Sequence, residues 1–140
     1  MRFFHTALGL GLVLGLGSGA AAANSPQGKT YHVTVYASFG NQFDDCFTFR
    51  NNGRLIIEGF GPTIYRLDEL NTQPDAWQAV GIASGQYGLA FHGTVGGAGA
   101  QTIRANAIST DGDTYILQGV LDPGCTASTA ARSAGSGYRR

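Results

Sequence analysis

Apolar and polar residues alternate through most of the chain from residue 30 to residue 121. Tyr31, Val33, Val35 and Ala37 fall on one parity; His32, Thr34, Tyr36 and Ser38 fall on the other. Successive side chains of a strand point to opposite faces, so this period of two predicts a half-buried strand over 31–38. The same pattern predicts strands near 46–50, 55–57, 63–67, 77–84, 87–95, 102–109 and 114–121. Turn chemistry separates them. Asn51-Asn52-Gly53 and Asp111-Gly112 supply residues that accept positive φ, as tight hairpins require, and Gly61-Pro62, Gly85-Gln86 and Gly96-Gly97-Ala98-Gly99 break the chain elsewhere. Asp122-Pro123-Gly124 ends the last strand, and Pro74 limits the one plausible helical turn, over 68–76.

Short strands at regular spacing with glycine-bearing turns predict an all-β fold, a small antiparallel meander of 7–8 strands. Closing such a meander removes its exposed edges. The expectation is therefore a closed barrel that resembles the lipocalin and avidin barrels in shape, with a β-sandwich as the alternative. Neither family's signature motif is present. Ala37, Ala79, Gly81, Ala83, Gly93, Ala105, Ala107 and Gly119 place small residues on the inner parity. Small residues leave room for one ligand, or let a narrow barrel close around Phe47, Phe49, Leu89, Phe91 and Leu117. The second outcome is the commoner one in small barrels.

The two ends of the chain change the picture of where it works. Arg2, an apolar stretch over 7–17 diluted by glycine, and Ala21-Ala22-Ala23 follow the plan of an export signal cleaved after residue 23. The run is too short for the roughly 20 apolar residues of a membrane-crossing helix. Residues 24–29 form a polar lead-in, 30–125 the single β domain, and 126–140 a tail rich in Ser, Ala, Gly and Thr that is expected to be disordered. Cys46 and Cys125 are the only two cysteines, and an even count behind an export signal predicts a disulfide in a periplasmic or extracellular protein. With the leader removed, eight basic and nine acidic residues remain, a formal charge of −1. A nucleic-acid binder is expected to show a basic face, and none is visible.

Candidate chemistry is sparse. His32 and His92 alternate away from the apolar residues of their strands, and two imidazoles fall short of the three or four ligands of a zinc site. No metal, catalytic or cofactor motif stands out. Asp44-Asp45, Asp68-Glu69 and Asp75 read as strand-end and turn residues bonding nearby backbone N–H groups. Asp111-Gly112-Asp113 lacks the later ligands of a calcium loop. The glycine run over 93–99 separates two strands, whereas a phosphate loop leads into a helix. Aromatic residues with a polar tip favour recognition, which makes Tyr36, Tyr65, Trp77 and Tyr87 candidate ligand or partner contacts, with Ala79 and Ala105 as candidate pocket walls.

The leading expectation is a secreted or periplasmic non-enzymatic barrel that binds a small apolar molecule or a protein partner, without a cofactor, nucleic acid or membrane anchor. The alternatives are a small hydrolase-like enzyme using His32 or His92 with nearby carboxylates, and a structural envelope or matrix protein.

Overall fold

Each strand pairs with the next in the chain, and the last one returns to the first. The computed structural model describes residues 24–68, 75–82, 87–126 and 137–138. Eight strands lie among the described residues: β1 (Thr30–Ala37), β2 (Gln42–Phe49), β3 (Arg54–Ile57), β4 (Gly61–Leu67), β5 (Ala76–Ile82), β6 (Gly88–Gly96), β7 (Thr102–Ser109) and β8 (Thr114–Leu121). All neighbours pair antiparallel in chain order. β1 also pairs with β8, Val33 facing Gly119 and Val35 facing Leu117, so the sheet is a closed barrel and not a sandwich. The expected helical turn and the export signal fall on residues outside those described, apart from Asp68, Asp75 and Ala76.

Alternation places the core inside the barrel. Tyr31, Val33 and Val35 of β1, Phe43, Phe47 and Phe49 of β2, Leu55 and Ile57 of β3, and Leu89 and Phe91 of β6 are all buried. Their rings meet mostly edge to face: Phe49 lies 5.0 Å from Trp77 and 5.1 Å from Tyr65, and Phe47 lies 5.8 Å from Phe91. Offset and edge-on contacts suit the ring quadrupole better than a direct sandwich. The small inner residues make room for these rings. A Cβ on Gly93 would stand 2.7 Å from the Trp77 indole and 2.6 Å from the Arg104 carbonyl, so the indole occupies the space glycine leaves. The interior is filled by side chains, and the indole Nε1 of Trp77 is buried there without a hydrogen-bond partner among the described residues.

The disulfide joins Cys46 to Cys125 across 79 residues. Cys46 lies within β2, not at its boundary, on the outward parity with Asp44 and Thr48. Cys125 follows the end of β8, where Asp122 N–H donates to the Thr30 carbonyl. The crosslink therefore carries the chain from β8 past β1 to β2 and holds the seam where the meander closes. In the chain-entropy picture a loop of this length is worth about 4 kcal/mol.

Tyrosine hydroxyls tie down the end of the barrel that holds the β2–β3 and β6–β7 turns. Tyr31 donates to the Ala100 carbonyl at 2.8 Å, and Tyr65 donates to the Arg50 carbonyl at 2.6 Å. The lead-in is docked here as well, since Gly28 N–H donates to Phe49 and Ser25 is buried.

Because the interior is already full, enlarging a small inner residue overpacks it. Ala79→Leu or Ala105→Leu, at positions 2 % and 6 % exposed, should each lower stability by about 1–3 kcal/mol in urea denaturation. Unchanged stability would show that the barrel holds spare volume at these positions.

Candidate functional site

The other end of the barrel, the mouth, carries an arrangement that core packing does not explain. β1 and β2, β3 and β4, β5 and β6, and β7 and β8 reverse here. Phe43 and Asp45 project inward from β2, Phe60 from the β3–β4 turn, and Tyr115 from the start of β8, with Tyr87 just ahead of β6. Strand parity dictates the first two: β2 begins at Gln42, so Phe43, Asp45, Phe47 and Phe49 share the inner face. The expectation that Asp44-Asp45 serves a strand end is therefore corrected. Asp44 faces out and accepts a bond from Thr34 Oγ1 at 2.9 Å, while Asp45 is completely buried.

A buried carboxylate costs free energy unless its oxygens are bonded. Asp45 Oδ1 accepts the backbone N–H of Cys46 at 2.8 Å and of Gly59 at 3.0 Å, which ties β2 to the β3–β4 turn. Oδ2 accepts the hydroxyl of Tyr138 at 3.0 Å. Burial, with a smaller contribution from the charge of Glu58, raises the Asp45 carboxyl from its ordinary 3.8 to about 6, against the opposing pull of these three donors. The Tyr138 hydroxyl is pushed well above its usual value by its own burial and by the Asp45 charge.

Tyr138 lies in the 126–140 segment, whose composition predicts a disordered tail. Residues 127–136 lie outside those described, but Tyr138 itself is only 4 % exposed. Its ring lies 4.8 Å from Phe43, 5.5 Å from Tyr115 and 5.8 Å from Phe60. A Cβ on the preceding Gly137 would stand 2.5 Å from the Phe43 ring, so glycine is what lets the backbone come this close. Tyr87 and Tyr115 share a hydroxyl–hydroxyl bond of 2.7 Å alongside. Two signals in the sequence point here: an aspartate at inward parity among phenylalanines, and one aromatic residue in a tail of small polar residues.

The candidate contacts distribute as follows. Trp77, Ala79 and Ala105 lie in the filled interior, Tyr65 lies inside near the opposite end, Tyr87 lines the mouth, and Tyr36 faces outward. His32 and His92 are exposed on β1 and β6. His32 Nε2 lies 3.7 Å from Asp44 Oδ2, both half exposed, and His92 sits opposite Gln78 and Asn106. The structure brings neither histidine to the mouth, and no cluster of three or more metal-ligating side chains occurs among the described residues.

The outer wall is the second feature that sequence reasoning did not single out. Ile64, Val80, Ile82, Ile108 and Ile116 are 53–73 % exposed. Register aligns them: Ile64 faces Val80, Val80 faces Ala90, Ala90 faces Ile108, and Ile116 faces Tyr36. The result is an apolar face over β4–β8 reaching β1, with open concavities between Ile64 and Ile82 and between Val80 and Ile116. On β2 the outward positions are Gln42, Asp44, the disulfide-bonded Cys46 and Thr48, so the face stops there.

No family model matches the chain, and no curated protein sequence matches it. Among solved structures, the chain is similar to a redesigned β-barrel at 13 % identity, covering 74 % of this chain and 95 % of that one with a TM-score of 0.49. It is also similar to a de novo designed fluorescence-activating β-barrel at 12 % identity, covering 74 % and 98 % with a TM-score of 0.38.

The raised Asp45 carboxyl has a direct consequence for stability. A carboxyl whose folded pKa exceeds its unfolded one binds more protons when folded, so its contribution is fully present below about 3.8 and is lost as pH rises through about 6. Wild type should lose on the order of 3 kcal/mol relative to Asp45→Asn between pH 3.5 and pH 7, measured by urea denaturation at each pH. Parallel pH profiles for the two proteins would show that Asp45 is not buried as a carboxyl.

Proposed function

We propose that this chain is an exported, non-enzymatic binding protein that recognises a protein partner through the outer wall of β4–β8. The carrying observation is the row Ile64, Val80, Ala90 and Ile108, aligned by register and flanked by Ile82, Ile116 and Tyr36 on the solvent side of the barrel. Contiguous exposed apolar faces with polar rims mark interaction surfaces. Arg66, Gln78, His92, Asn106 and Arg104 supply such a rim. The filled interior argues against a small apolar molecule held inside the barrel. The disulfide supports the exported location, because such bonds persist in oxidising compartments.

The shape of the apolar face favours a protein over lipid. A bilayer surrounds a barrel, so it demands an apolar collar on every strand and strands of about 9–11 residues. Here the strands run from four to nine residues, and β2 turns polar side chains outward. A one-sided face suits a partner that docks on one side.

A photo-crosslinking residue at Val80 in the intact, exported protein tests this reading, with Thr94 on the polar part of the wall as the control. The expected result is a discrete adduct with another protein from Val80 and none from Thr94. Adducts with lipid or with a second copy alone, equal labelling from both positions, or no adduct would contradict it.

A further inference from the structure

Asp45 divides its two oxygens between two tasks. Oδ1 is committed to the fold through the Cys46 and Gly59 N–H groups, whereas among the described residues Oδ2 accepts the hydroxyl of Tyr138. A barrel that needed only a stopper would close more cheaply with an apolar side chain, since replacing buried ionic groups by well-packed hydrophobic ones is often neutral or stabilising. A carboxylate oxygen at the base of an aromatic mouth instead selects a ring that carries a hydrogen-bond donor. Phe43, Phe60 and Tyr115 hold the ring at 4.8–5.8 Å, while Asp45 Oδ2 takes the hydroxyl at its tip. Ring and hydroxyl are both recognised, and Gly137 lets the attached backbone pass close over Phe43.

The occupant comes from far along the chain. Tyr138 is 93 residues from Asp45 in sequence and 13 residues beyond Cys125, the last covalent tie to the barrel. A group tethered by a short chain competes with free ligand at an effective concentration of order millimolar. We propose that the barrel mouth is a binding site for a para-substituted phenol, and that Tyr138 is its resident occupant, displaced when a phenol from another molecule enters. The phenol is either a small molecule or a tyrosyl side chain in a Gly-Tyr segment of another polypeptide. The Gly137 approach to Phe43 makes the second fit more of the site.

The test uses the full-length chain at pH 8, where the Asp45 carboxyl, raised to about 6, is ionised. Tyr138→Ala should bind p-cresol saturably, and roughly tenfold or more tighter than toluene, the size of effect expected for a hydrogen bond to a charged acceptor. Adding Asp45→Asn should remove most of that preference. In wild type, p-cresol or the peptide Ser-Gly-Tyr-Arg-Arg should bind more weakly than to Tyr138→Ala and should move the Tyr138 ring resonances towards solvent-exposed values. Tighter binding of the peptide than of p-cresol identifies a polypeptide ligand, and the reverse order a small phenol. Three results would overturn the proposal: a folded Tyr138→Ala protein that binds neither phenol, equal affinity for toluene and p-cresol, or a wild-type Tyr138 ring that no phenol displaces. Should Tyr138→Ala fail to fold, the wild-type displacement experiment decides alone.

Discussion

Closure of the sheet on itself is the constraint from which the rest of this structure follows. Once β1 pairs with both β2 and β8, every inward position faces the same narrow interior. The backbone there has satisfied its hydrogen bonds in the ladder, so side chains alone decide the packing. Native interiors are packed to the density of organic crystals, and here rings are set against small residues. Trp77 over Gly93 is the clearest pair, since the indole takes the room that a Cβ would need. The disulfide fastens the seam of the same closure, from beyond β8 to the outer side of β2.

The two ends of the barrel solve one problem in different ways. At one end Tyr31 and Tyr65 reach up to carbonyls of neighbouring turns, and neutral donors meet neutral acceptors. At the mouth the acceptor is a buried carboxylate and the donor comes from the far end of the chain. The first arrangement is structural closure. The second places an ionisable group where water is excluded, which is the circumstance in which a specific donor contributes most and a missing one costs most. The apolar outer wall is separate from both, because it lies on the opposite parity of the same strands.

Most of the barrel could be read in the alternation of residues, because a period of two leaves little choice of face. The strand set, the meander and the inward Val33, Val35, Phe47, Leu89 and Phe91 followed from it, and closure and the disulfide pairing agreed with expectation. Asp45 sits just ahead of the strand predicted near 46–50, and its inward parity is evident once β2 is taken back to Gln42. Tyr138 was harder to find. Composition averages over a segment, and one aromatic among Ser, Ala and Gly leaves the average unmoved while its ring packs in the mouth. Whether the barrel would be hollow was not in the pattern at all, since it depends on how each ring leans across the interior. Ile64, Val80 and Ile108 broke the alternation by standing on the polar parity, and β-propensity alone accounts for such residues until the register shows that they adjoin.

Tyr138 completes the barrel mouth against Asp45 and Phe43. Nuclear Overhauser contacts of the Tyr138 ring in the oxidised full-length protein test it most directly. Cross-peaks are expected from Tyr138 ring protons to the rings of Phe43 and Phe60, which lie 4.8 and 5.8 Å away between centroids. A Tyr138 ring with random-coil shifts and no contact to either phenylalanine would contradict it.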